Sequence, residues 1–391
     1  MVFWTAFTGQ LPTLALVSLG ASEALIGAQS GLQMGLAAIQ LPALRLISWF
    51  PKRSLLIAGQ ALAQLASLPL VFFGSISALG PDAAVAAAFA CLALTALGLD
   101  LADLVWFPLL RGFVDPEHAG RFFGVNRSAW HAAMIVFFLG AQFWLSHHES
   151  GFGLLFGAAW SLGVLRVALI TRLPERSERG GERLRARDAL ALLRRDGRLR
   201  RYMLGSIWGQ AMRLATLPFV LVMLRRALGF SNSDAVFTTV AMYVGGLVSL
   251  YPWGRLADRR GAYFLFRTTA LALGALYLSL AFVEPAGAAT LWMAVAFFFA
   301  HAVLAAGHGM ADTRLLFELA PADAPAKVLV VTAVIEGTIC GLAPALAGAV
   351  LDPLLARAPA PLPVYHGFFA VAAVLVSLSF LPLRAFRRAS S

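Results

Sequence analysis

The sequence predicts an all-α membrane protein with twelve transmembrane helices in two pseudo-symmetric halves of six. Three observations predict it. Hydrophobic residues make up 60% of the 391 positions and charged ones 13%, with a mean hydropathy of +0.77; a soluble domain is about half apolar and a quarter charged. Apolar runs of roughly 20 residues, enough to cross a bilayer, recur along the chain. Thirdly, the sequence repeats itself. Leu19-Gly20-Ala21-Ser22 returns as Leu228-Gly229-Phe230-Ser231, and Pro42-Ala43-Leu44-Arg45-Leu46 as Pro252-Trp253-Gly254-Arg255-Leu256. Gly98-Leu99-Asp100-Leu101-Ala102-Asp103 returns as Gly307-His308-Gly309-Met310-Ala311-Asp312, so the offsets are 209, 210 and 209. Two related halves in a membrane protein imply alternating access about a pseudo-twofold axis.

The apolar runs place spans at about 3–19, 24–47, 54–78, 83–108, 127–147 and 151–171, and again at 201–224, 235–253, 262–283, 289–311, 327–350 and 364–383. The first half is therefore 1–172 and the second 201–391, the latter ending in a short tail. Between them an Arg-rich linker, 173–200, holds a stretch from Asp188 to Arg195 that can form an amphipathic surface helix. Met1 leads into Val2-Phe3-Trp4 with no basic stretch, so no cleavable leader is expected. Cys91 and Cys340 both lie in apolar runs, which offers neither a disulfide framework nor a metal cluster. No cofactor is expected.

The net charge of +11 would suggest nucleic acid in a soluble protein, but its distribution follows the membrane. One set of loops and tails holds 25 of the 31 lysines and arginines, eleven of them between Arg172 and Arg201. The opposite set holds Arg225, Arg226 and Arg357, and the spans hold Arg166, Arg213 and Arg267. By the positive-inside rule both termini and the linker are cytoplasmic, in what is expected to be a bacterial inner membrane.

The loop after the eighth span reads Tyr251-Pro-Trp-Gly254-Arg255-Leu-Ala-Asp258-Arg259-Arg260-Gly261. Gly254 can admit a neighbouring helix, Asp258 can meet a helix N-terminus, and Gly261 can make a tight turn. The loop resembles the G-x-L-x-D-R-x-G signature of the major facilitator superfamily, and the repeat, twelve spans and middle linker extend that resemblance over the chain. The resemblance implies a secondary transporter in which Gly254, Arg255, Asp258, Arg259 and Gly261 form a latch that holds the halves together when the cytoplasmic side is closed. The first-half copy departs from it, with Ser48 for the aspartate and Pro51 for the glycine. The antiporter pattern G-x-x-x-G-P-x-x-G-G is missing from the fifth span. Gly337-x-x-x-Gly341-Leu-Ala-Pro344-Ala-Leu-Ala-Gly348 reads as close helix packing through small residues.

Ionisable residues in a span face a cavity or a partner. Arg213 lies about halfway along the seventh span, Glu336 somewhat cytoplasmic of the middle of the eleventh, and His301 near the middle of the tenth. In one reading Arg213 holds an anionic or polar solute group while Glu336 or His301 takes a coupling proton. In the other, Arg213 and Glu336 are a buried ion pair and His301 a packing histidine. Asp103 and Asp312 occupy copied positions and are read as gate or latch residues, with His308 one turn from Asp312. Asp100, replaced by Gly309 in the second copy, is the first-half proton candidate. Gln10, Gln33, Trp130 and Tyr243 complete the candidate lining; Gln29 and Gln40 share a helix side with Gln33, and Trp208 and Gln210 are further polar groups. No phosphate loop, nucleophile signature or zinc helix occurs, so an enzyme is not expected. The expected partners are a small organic solute, protons and lipid, with no nucleic acid, and a monomer is expected. An exporter of amphipathic compounds and a non-transporting scaffold or sensor remain as alternatives.

Overall fold

In the computed structural model, residues 1–36, 49–110, 113–114, 118–172, 174, 196–285, 287–319 and 325–388 are described, and helix is their only regular structure. The linker apart from its two ends, the segment 37–48 with Gln40, Arg45 and Ser48, and the stretch 188–195 lie outside the described residues.

The first part of the chain forms α1 (Val2–Thr8), α2 (Gln10–Ser18), α3 (Glu23–Gly35), α4 (Lys52–Val71), α5 (Phe73–Ser77), α6 (Pro81–Leu110), α7 (Ala119–His147) and α8 (Phe152–Ile170). The second forms α9 (Gly197–Arg226), α10 (Asn232–Arg260), α11 (Ala262–Ser279), α12 (Ala288–Leu319), α13 (Pro325–Arg357) and α14 (Pro361–Leu378). Among the described residues nine helices are long and apolar enough to cross a membrane, and α10, bent by 47°, makes a tenth. The bend lies just before Pro252, which has no N–H to give the preceding turn. Two of the twelve expected spans remain. The second is α3, which runs into the segment outside the described residues. The first, expected as one continuous helix, is broken.

The break is at Gly9, whose φ of −91° and ψ of −142° are not helical. Pro12 explains it: with no N–H for the Thr8 carbonyl, and a ring that crowds that carbonyl, it cannot continue α1. Non-helical backbone at membrane depth is tolerated only where it is buried in protein or lines a cavity.

Helices α4, α6 and α8 pack together in the first part; α9 with α13, α10 with α12, and α11 with α14 in the second. Two seams join the parts, α3 against α13 and α7 against α10. The first seam is backbone on backbone. A Cβ added at Gly31 would stand 1.9 Å from the Gly341 carbonyl oxygen, and one at Gly341 would stand 2.2 Å from Gly35 Cα. Only hydrogen fits at either position, as small-residue packing requires.

The copied turn has a copied geometry. Gly20 and Gly229 adopt φ of +84° and +70°, which a side chain would oppose. Ser22 then caps α3 through the Leu25 N–H, and Ser231 caps α10 in a capping box with Asp234.

Candidate functional site

Both parts of the chain contribute to one cavity of about 590 Å3. From the first part come Trp4, Thr5, Thr8 and Gly9 at the helix break, Gln33 of α3, and Arg127, Trp130 and His131 of α7. From the second come Met242 and Tyr243 of α10 and one face of α12 from His301 to Thr313. These residues run from mid-membrane to the end that carries the basic loops, where Arg127 and Thr313 are exposed at the rim. The size suits a small organic molecule.

Hydrogen bonds orient the aromatic side chains. The Trp130 indole donates to Thr5 Oγ1 at 3.3 Å, and His131 Nδ1 meets the Arg127 carbonyl at 2.8 Å. The rings of Trp130, His131 and Tyr243 meet edge to face at centroid distances of 4.8 to 6.1 Å. Across the cavity His301 Nε2 bonds the Tyr277 hydroxyl at 3.0 Å, and its buried Nδ1 has no partner among the described residues.

Of the residues singled out from sequence, Gln33, Trp130, Tyr243 and His301 lie on this wall. Four others do not. Gln10 is used structurally, donating to Met242 Sδ at 3.5 Å and accepting from Thr239. Asp100 is 7% exposed with Oδ2 unpartnered among the described residues, away from the wall. Arg213 donates to the Ala305 carbonyl at 3.5 Å and so stands behind the α12 face, while its Nε has no described partner. It makes no ion pair with Glu336, since the described ion pairs are all elsewhere. Glu336, too, lies off the wall. It belongs with Arg213, Asp312 and Tyr202 to a polar group between α9, α12 and α13. There the Tyr202 hydroxyl donates to Asp312 at 3.0 Å. His308 does not pair with Asp312; its Nδ1 meets Thr269 Oγ1 at 3.2 Å. Gln29 takes the Thr13 hydroxyl, and Trp208 donates to the Leu375 carbonyl.

The far end is shut by a clamp that sequence reasoning missed. Arg226 of α9 bonds Glu23 of α3 at 2.6 Å and also the Ala21 carbonyl. Tyr365 donates to Glu23 at 3.0 Å, and Asp352 accepts from the Glu23 and Ala24 N–H groups at 2.8 and 3.1 Å. Beside it Arg225 meets Glu149 at 3.3 Å, and Asn232 N–H donates to the same carboxylate at 2.8 Å. Each of these contacts joins the first part of the chain to the second.

Searches of known proteins agree with this architecture. The sequence profile of the Major Facilitator Superfamily matches residues 1–348. The chain belongs to the major facilitator superfamily. Among solved structures it is similar to the nucleoside transporter NupG, at 15% identity over 98% of this chain and 96% of that one, TM-score 0.70. It is similar to a D-xylose–proton symporter, at 15% identity over 96% and 92%, TM-score 0.67. A POT family transporter follows the same course, at 12% identity over 100% and 95%, TM-score 0.71. At such identities the likeness shows the fold. A search of curated sequences found no match.

The superfamily's loop motif takes a particular form here. Gly261 makes its turn at φ +78°. Asp258 pairs with the Arg314 side chain at 2.8 Å instead of meeting a helix N-terminus, so its contact runs between α10 and α12 of the same half. Arg255 lies over the Tyr251 ring at 5.0 Å, and Arg259 is exposed. Gly254 was expected to admit a neighbouring helix, but a Cβ there would meet nothing within 4 Å.

Proposed function

We propose that this chain is a secondary transporter that carries a small organic solute by alternating access, held here in its inward-open state. Two six-helix halves, 1–172 and 201–391, rock about the α3/α13 and α7/α10 seams, and the linker 173–200 and both termini are cytoplasmic. The carrying observation is the asymmetry between the two ends. A cavity bounded by both halves reaches the basic end, while the Glu23–Arg226 clamp ties the halves together at the other. Lysine and arginine collect on the cytoplasmic side of a membrane, which makes the open end the inner one.

Transport is proton-coupled in this reading, because Asp100 and Glu336 are carboxylates retained inside the spans with no ion pair among the described residues. Proteoliposomes test it. Solute exchange continues without a pH gradient, whereas accumulation requires one and is lost in Glu336→Gln or Asp100→Asn. Accumulation that survives both substitutions, or that ignores the gradient, overturns the coupling.

A further inference from the structure

Resting on the transporter reading, we infer that the cavity selects uncharged, ring-bearing solutes, which slot between the indoles of Trp4 and Trp130 and the small-residue face of α12. On the first-half side the Trp130 indole N–H is already spent on Thr5. What Trp130 offers a solute is therefore its ring face. On the second-half side Ala302, Ala305, Ala306 and Gly309 give α12 a surface with nothing beyond a Cβ. A Cβ added at Gly309 would meet nothing within 4 Å, so that part of the wall is open space and not a packed contact. A flat wall opposite an aromatic one suits a planar ring.

Deep in the cavity, polar recognition comes from His301 and Gln33. His301 is 5% exposed with Nδ1 unpartnered among the described residues, and Nε2 is held by Tyr277. A buried polar atom that finds no protein partner is satisfied by a ligand or water. Gln33 adds an amide, and the break at Gly9 interrupts the main-chain hydrogen bonding beside it. Charge then decides among ring compounds. Indole faces attract cations as well as neutral rings, but no Asp or Glu is on the described wall. Arg127 stands at the rim and Arg213 behind Ala305. An organic cation meets repulsion without compensation. An anion finds a guanidinium only at the rim, at Arg127, since Arg213 is turned to the Ala305 carbonyl.

The test is binding to purified full-length protein in micelles, read by tryptophan quenching and confirmed by thermal shift. The probes share one ring and differ in charge: 2-naphthamide, 2-naphthoate and 2-naphthylmethylammonium, with uridine as a second uncharged ring and sorbitol as a ring-free control. The amide and uridine bind, the carboxylate binds about tenfold more weakly, and the ammonium and sorbitol fall below both. Gly309→Leu, which fills the slot from open space, abolishes binding without lowering the melting temperature. Trp130→Leu weakens binding and Trp130→Phe restores it. Equal or tighter binding of the ammonium or the carboxylate, sorbitol binding as well as uridine, or no binding by either uncharged ring overturns the inference. Micelle binding needs no flux, so a probe that binds as expected but is not carried in proteoliposomes faults the transporter reading instead.

Discussion

Glu23→Gln should open the far end. The Arg226–Glu23 contact exists only while that end is shut, so weakening it costs the shut state alone. At 2.6 Å, with side chains 28% and 8% exposed, it is a charge-assisted hydrogen bond largely removed from water. Glutamine keeps an acceptor for Tyr365 and Arg226 but loses the charge, which removes about 2 kcal/mol. That is a shift of roughly 30-fold in the shut-to-open ratio. The neighbouring Arg225–Glu149 pair sets an internal scale. Glu149 is 54% exposed, so Glu149→Gln costs about 0.5 kcal/mol after solvent screening, close to twofold. Spin labels on the exposed far-end positions Leu79 and Phe282, one in each half, read the separation by electron–electron resonance. Glu23→Gln should populate a longer distance that wild type barely shows, and Glu149→Gln should scarcely move it. An unchanged distribution in Glu23→Gln, or an equal shift from Glu149→Gln, would refute the clamp.

Three further outcomes follow from the packing. Gly341→Ala pushes a methyl into the Gly35 backbone and should destabilise by about 1–3 kcal/mol, seen as a lower melting temperature, whereas Gly309→Ala should raise it by helix propensity alone. Pro12→Ala allows α1 and α2 to join; it should stabilise the protein to heat while weakening solute binding, because the cavity loses its interrupted backbone. Ser231→Ala removes the α10 capping box and should cost about 1 kcal/mol, without changing the distance between the far-end labels.

The fold was legible because its signals are local. Runs of apolar residues mark spans whatever their neighbours, and Gly20 and Gly229 announce the same turn because both need the same left-handed backbone. For the site the sequence speaks to depth but not to direction. It places Arg213, Glu336 and His301 at comparable depth, yet each residue turns a helix by about 100°, so span ends uncertain by a few residues leave facing undetermined. Only His301 of the three reaches the cavity wall. A search for polar side chains also overlooks a wall made of alanine and glycine. The break at Gly9 had a readable sign, a glycine three residues before a proline. The clamp had one too: Arg225 and Arg226 are isolated cations on a face that otherwise carries almost none. Their carboxylate partners are distant in the chain, Glu23 lying 203 residues from Arg226, and no periodicity connects them.

The glycine seam between α3 and α13 separates what evolution can alter freely from what it cannot. Any side chain beyond hydrogen at Gly31 or Gly341 collides with main chain, so substitutions there damage the joint whatever the solute. In the alternating-access reading, a surface without interlocking side chains has no rotamers to reset as one half rolls over the other. Around Gly309, by contrast, there is room for new groups. A lineage can therefore exchange one cargo for another by changing the lining while inheriting the moving joint intact.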